Sequence, residues 1–513
     1  MRAFAFAFML LLAASPARAD WWEASTDHFV VLAEGSPQSA RDMATKLERF
    51  DATLRFLKDM PKDGAPGKAS RLTVFILSNE SAVRRLYGDT RSSVAGFYVP
   101  RASGSMAFVP RDRPGNDYAL SGQIVLLHEY AHHFMLSNYM AAYPAWFVEG
   151  FAEFYSTVTF EKNGGLTFGQ PAVHRAMGLF HGSRLPIEKL LTGLAEGKAE
   201  AIDVFYGRAW VLTHYLTFEP SRSDQLAAYL QNIGKGMTSI EAGRAAFGDL
   251  GKLNSELDRY ILRPMQYRKI APGTIAVAEP AIRRLTAGEE AVIHIRMQLT
   301  RTPTGEAAKK LLAEARQRAA QAPESAEAQL VLAAAEYESG NDEQASAAAD
   351  QALKRDPKSV DALLYKGRVQ MRLAAAAESS EAKWNSARSW FVKANRADTD
   401  DPEPLIYFYR TFVEAGLTPT RNAVMGLEEA LARAPHDPEL RMMLGRQLLA
   451  DKRINEARNV LAPIAFSPHG GTSSRATAAV LKLIDEGVTD NLLQALDREY
   501  AAAAAADTTA VPQ

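Results

Sequence analysis

The chain has 513 residues, more than one compact core uses, so it divides into several domains. Lysine and arginine number 59 against 60 aspartate and glutamate, a net charge of −1, which gives no reason to expect nucleic acid or an anionic membrane surface as partner. There is no cysteine, which excludes disulfides, thiolate metal sites, a cysteine nucleophile and lipid attachment through an N-terminal cysteine.

Residues 1–19 predict a signal peptide: Arg2 is the positive start, Phe4 to Ala14 an apolar stretch too short to span a bilayer, and Ala17-Arg18-Ala19 a small-x-small cleavage site. Export to a periplasm or to the exterior is expected, with a mature chain from Asp20 and no stable membrane span after cleavage. Residues 20–265 predict a mixed α+β domain. HFVVLAE (His28 to Glu34) and RLTVFIL (Arg71 to Leu77) predict strands on either side of a helix from Ser39 to Leu57. GFYVP and SMAFVP predict two more, joined by a turn at Ala102 to Gly104. A long helix is expected from Ala119 to Met140, a second from near Pro144, and more from Ile202 to Leu262. In residues 266–304 the alternating or apolar runs TIAVAEP and AVIHIRMQL predict a β-rich connector.

Residues 305–470 are Ala-rich and periodic. Ala333, Gly340, Ala345, Ala352 and Pro357 fall at positions 8, 15, 20, 27 and 32 of a 34-residue unit, and Pro323 stands one period before Pro357. Gly367 repeats the place of Ala333, and Gly445 and Ala457 repeat those of Ala333 and Ala345, with a loop inserted around Ala374 to Trp384. Small residues at such places let antiparallel helices approach closely. The pattern resembles the tetratricopeptide repeat family over about Glu306 to His469, which implies an all-α solenoid with a concave surface for a protein partner. The remaining residues, 471–513, read as a helical, low-complexity tail with a frayed end.

The chemistry lies in His128-Glu129-Tyr130-Ala131-His132. Residues i and i+4 share a helix face, so both imidazoles reach one ion, while Glu129 beside them reaches a water instead. That division suits zinc hydrolysis, in which a carboxylate takes the proton of a water that zinc has made acidic. Downstream, PAWFVEGFAEFY places Glu149 among Trp146, Phe147, Val148 and Phe151. A carboxylate in apolar surroundings wants a cation, and a returning helix would bring Glu149 to the two histidines as third ligand. Glu153, one turn on, is placed to accept the other N–H of a ligand imidazole.

HEYAHH followed by WFVEGFAEF resembles the gluzincin zinc metallopeptidases, and most closely the peptidase-MA-like domain of exported bacterial proteins, over about His28 to Leu262. The resemblance implies a zincin-like fold, Zn2+ held by His128, His132 and Glu149, and Glu129 as general base. VFYGRAWVLTHYL is similar to the family segment whose tyrosine stabilises the oxyanion, which implies that role for Tyr206, with Ala209 three places on. His133 is expected off the ligand face, supporting a ligand or exposed; His174, His181 and His214 receive no role. Zinc aminopeptidases of this clan carry a strand reading G-A-M-E-N whose Glu holds the substrate's amino terminus. The comparable strand here reads Gly104-Ser105-Met106-Ala107-Phe108, and Ala107 in the Glu position implies an endopeptidase. The expected function is therefore an exported zinc endopeptidase acting on peptides or proteins, with a separable repeat domain that binds a protein partner. The alternative is a repeat scaffold carrying an inactive zincin-like module.

Overall fold

The computed structural model describes residues 20–61, 67, 70–92, 94–111, 121–139, 143–193, 199–376, 380–467 and 471–509. The expected signal peptide, the centre of the inserted loop near residue 378 and the last four residues lie outside them.

The N-terminal region is built on a six-stranded sheet. Its strands are β1 (Trp21–Ser25), β2 (Phe29–Glu34), β3 (Leu72–Leu77), β4 (Phe97–Val99), β5 (Met106–Pro110) and, far along the chain, β9 (Ala281–Arg284). Their order is β4-β5-β3-β2-β1-β9, with β2, β3 and β5 parallel and the others antiparallel to their neighbours. Val74 and Ile76 face one core and Phe75 and Leu77 the other, so β3 reads as an unbroken apolar run.

On the first face lie α1 (Pro37–Leu57), α3 (Gly122–Asn138) and α4 (Ala145–Ser156), joined to α7 (Ala199–Phe218) by the largest apolar cluster. The second face is covered by α2 (Glu80–Tyr87) and α11 (Ala287–Leu299). Between α4 and α7 the chain forms a hairpin, β6 (Thr159–Phe160) and β7 (Leu166–Phe168), and short helices α5 (Ala176–His181) and α6 (Ile187–Thr192). After α7 come α8 (Gln225–Gly234), α9 (Ser239–Phe247) and α10 (Leu250–Tyr260), then β8 (Arg268–Ile270), which pairs with β7.

The expected β-rich connector at residues 266–304 is corrected in part: it holds the short strands β8 and β9, but neither of the two predicted runs is a strand. TIAVAEP is irregular, and AVIHIRMQL is the body of α11, started by a capping box between Thr286 and Glu289. Ile293 and Met297 face the sheet while Val292 and Ile295 face the helices that follow. A helix buried on two sides loses its polar face, and its sequence then mimics a strand.

The rest is helical: α12 (Gly305–Gln321), α13 (Ala326–Glu338), α14 (Asp342–Arg355), α15 (Val360–Ala375), α16 (Glu381–Ala397), α17 (Glu403–Val413), α18 (Arg421–Arg433), α19 (Pro438–Ala450), α20 (Ile454–Ala465), α21 (Thr472–Asp485) and α22 (Leu492–Thr509). Gly340 ends the α13 turn with φ +80°, a conformation that glycine adopts without steric cost. A Cβ at Gly367 would come within 2.4 Å of the Phe391 ring, and one at Gly445 within 2.3 Å of Leu461, so the periodic small residues sit where paired helices touch. Over its alanine run the tail is helical: α22 continues through Thr509, and Ala503 is buried. Among the described residues no helix is long and apolar enough to cross a membrane.

Candidate metal centre

Helix α3 starts under Ser121, whose side chain accepts from the Ile124 N–H, and carries His128 and His132 one turn apart. Helix α4 returns beside it. Gly150 allows α4 to lie against α7: a Cβ there would be 2.3 Å from Thr213 Oγ1 and 2.7 Å from the Ala209 carbonyl oxygen. That close approach sets Glu149 and Tyr206 on the same site.

The geometry is tight. His128 Nε2 and His132 Nε2 are 3.0 Å apart, and Glu149 Oε2 lies 3.2 Å from the first and 3.5 Å from the second. Glu149 is fully buried and both histidines nearly so. Ligands about 2.05 Å from a tetrahedral ion are about 3.3 Å from one another, so this triangle of two nitrogens and one oxygen has the size and chemistry of a zinc site. Burial would make the His128 imidazolium more acidic, but hydrogen bonds to Glu149 and Glu153 outweigh it and push its pKa up to about 10. Burial would also raise Glu149, yet the charge of His132 and hydrogen bonds from both histidines hold it well below the usual carboxylate range. A carboxylate buried in this way demands positive charge beside it, and a bound cation satisfies that demand.

Glu153, 1% exposed, lies 3.2 Å from His128 Nδ1. Two residues with no sequence-based role hold it: His174 Nε2 at 2.9 Å from Oε2 and the Arg175 guanidinium at 2.6 Å from Oε1. Arg175 also pairs with Asp203 at 2.8 Å. Its guanidinium lies 5.0 Å from the centre of the Tyr206 ring, and the centre of the His128 ring lies 5.9 Å from it. Burial together with the charge of Glu149 raises the Tyr206 phenol far above its ordinary pKa, so it remains an O–H donor. Glu129 is half-buried on the same side, and its charge acts on both Tyr98 and Tyr206.

Two expectations change. His133 is half-buried and not exposed; it is bonded through Nδ1 to the Tyr98 hydroxyl at 2.9 Å and packed on His436. Ala107 cannot report on substrate recognition, because β5 is an interior strand paired with β3 and β4 and Ala107 is buried. The outer strand is β4. His214 is buried structure: its Nδ1 meets the Tyr260 hydroxyl and its Nε2 the Gly169 and Gln266 carbonyls. The described residues hold a second cluster of possible ligands, His28, Glu48 and Asp51. Its carboxylates are already engaged, Glu48 by His28 at 2.6 Å and Asp51 by Arg55 at 2.7 Å and Tyr130 at 2.8 Å.

Residues 326–369 match the tetratricopeptide repeat family. They are α13, α14 and the first part of α15. Among solved structures the chain is similar to a thermophilic TPR protein of Thermus thermophilus, with 19% identity over 42% of this chain and 98% of that one and a TM-score of 0.31. It is also similar to YrrB, a TPR protein with an unusual peptide-binding site, with 19% identity over 36% of this chain and 90% of that one and a TM-score of 0.28. Comparison with curated proteins finds no match.

Proposed function

We propose that the chain is an exported zinc peptidase of the gluzincin type, with a zincin-like N-terminal region, that cleaves within peptide chains and carries tetratricopeptide repeats for protein interaction. The observation that carries this reading is the convergence of His128 Nε2, His132 Nε2 and Glu149 Oε2 within 3.5 Å of one another, with Glu129 adjacent.

His128, His132 and Glu149 would hold the ion, which when bound polarises the scissile carbonyl and makes water acidic near neutral pH. Glu129 takes the proton of the attacking water and delivers it to the leaving amine. Tyr206 offers its O–H to the carbonyl oxygen as negative charge develops there. Glu153 accepts the Nδ1 proton of His128 and so fixes the tautomer whose Nε2 faces the ion, while His174 and Arg175 keep Glu153 charged and in place. The endopeptidase reading rests on β4. Its outer edge pairs with no strand among the described residues, and an edge accepts an extended chain through main-chain bonds without needing a terminus.

The test is metal analysis of the purified mature protein, with hydrolysis of an unfolded protein substrate measured before chelation, after it, and after zinc is restored. About one zinc per chain, with activity lost and regained, is expected. Protein without zinc affinity would sink the reading. The repeat match supports a second reading, a binding scaffold with an inactive N-terminal module. The two part on Glu129→Gln, which lowers kcat by roughly 10²–10⁴-fold in the first and changes nothing in the second.

A further inference from the structure

The turn joining β4 to β5 is seated on the repeat array. Ala102 at its tip is 6% exposed and belongs to the apolar cluster of Ile406, Tyr409 and Phe412. The Arg101 carbonyl accepts from His436 Nε2 at 3.2 Å. His436, in the turn between α18 and α19, also reaches the metal helix. Its ring centre is 4.4 Å from that of His133, the neighbour of His132, and its Nδ1 is 3.5 Å from Ser137 Oγ. His133 in turn bonds the Tyr98 hydroxyl of β4, which also bonds Ser105 at 2.8 Å. One imidazole of the array thus braces both the outer strand and the helix that carries two candidate ligands.

Strand β4 has three residues, and among the described residues each pairs with β5 alone. Strands usually run about five to six residues, and each ordered residue costs about 1–2 kcal/mol of backbone entropy. So short an edge depends on what holds its end.

We propose that the array is a clamp on the β4–β5 hairpin. His436 is a positioning residue that sets the edge strand beside the metal cluster, and the surface formed by α17 and the α18–α19 turn is occupied by this chain's own turn instead of an external peptide. The consequence for substrate rests on the peptidase reading above; the clamp itself does not.

The test uses the full-length protein and three variants. His436→Phe keeps a ring but loses the N–H to Arg101, His436→Gln keeps a donor, and Ala102→Glu unseats the turn. Amide hydrogen exchange over residues 97–105, bound zinc, and KM and kcat for a peptide substrate are measured. Exchange should rise about tenfold or more in His436→Phe and Ala102→Glu, with zinc unchanged, KM raised and kcat nearly kept, while His436→Gln stays close to wild type. Unchanged exchange in both disrupting variants overturns the clamp. Raised exchange with unchanged KM overturns the positioning role. A wild type that binds zinc but hydrolyses nothing counts against the peptidase reading alone, and exchange still decides the clamp.

Discussion

The metal centre and the repeat array bury small and charged groups for opposite reasons. In the array, alanine and glycine fill helix contacts, buried charges such as Glu336, Lys366 and Arg441 lie scattered along it and do not converge on one site, and each helix pair leans chiefly on the next. At the metal centre an almost wholly apolar helix, α4, buries Glu149 and Glu153, and the cost of that burial is met by His128, His132, His174 and Arg175. An array of the first kind tolerates local loss. A site of the second kind fails as a unit, because removing one partner leaves another charge buried without its counterpart.

The largest expected effect follows from that contrast. Glu149→Ala should abolish zinc binding and hydrolysis together, whereas Glu129→Gln should keep zinc and lower kcat by roughly 10²–10⁴-fold. Equal zinc content in wild type and Glu149→Ala would remove Glu149 from the ligand set. Glu153→Gln should weaken zinc affinity by about 10–100-fold. Titration with a competing chelator measures it, and an unchanged affinity would reduce Glu153 to packing.

Paired glycine substitutions sharpen the comparison. Gly150→Ala drives a methyl against the Ala209 backbone, which cannot rotate away, and should cost about 1–3 kcal/mol of stability as well as zinc. Gly445→Ala meets the end of the Leu461 side chain, which can turn, and should cost less. Denaturant unfolding of both variants ranks them; the reverse order would mean that the array is the less forgiving region.

The smallest effect is a pH dependence within the array. Asp401 is buried before α17, and burial with the charge of Glu403 pushes its carboxyl up to about 7. Folded protein therefore keeps a proton there that unfolded chain releases near pH 4, so this group's contribution to stability falls as pH rises from about 4 to 7 and stays lost above. Asp401→Asn should stabilise the protein at about pH 8 by on the order of 1 kcal/mol and not at about pH 4. A gain independent of pH would show that ionisation of Asp401 is not its source.

What the sequence determined by itself was local. The i, i+4 histidines, the acid between them, the carboxylates of an apolar helix and the 34-residue rhythm of small residues are all patterns within a turn or a repeat, where helical geometry alone fixes which side chains share a face. Tertiary structure decided the rest. His174 and Arg175 lie more than twenty residues from Glu153, β9 joins β1 across some 260 residues, and His436 meets Arg101 across 335. No periodicity marks such partners, because only packing of distant segments brings them together. The same cause hid α11, whose two buried faces erased its helical pattern, and placed Ala107 inside a sheet whose edge is formed by the strand before it.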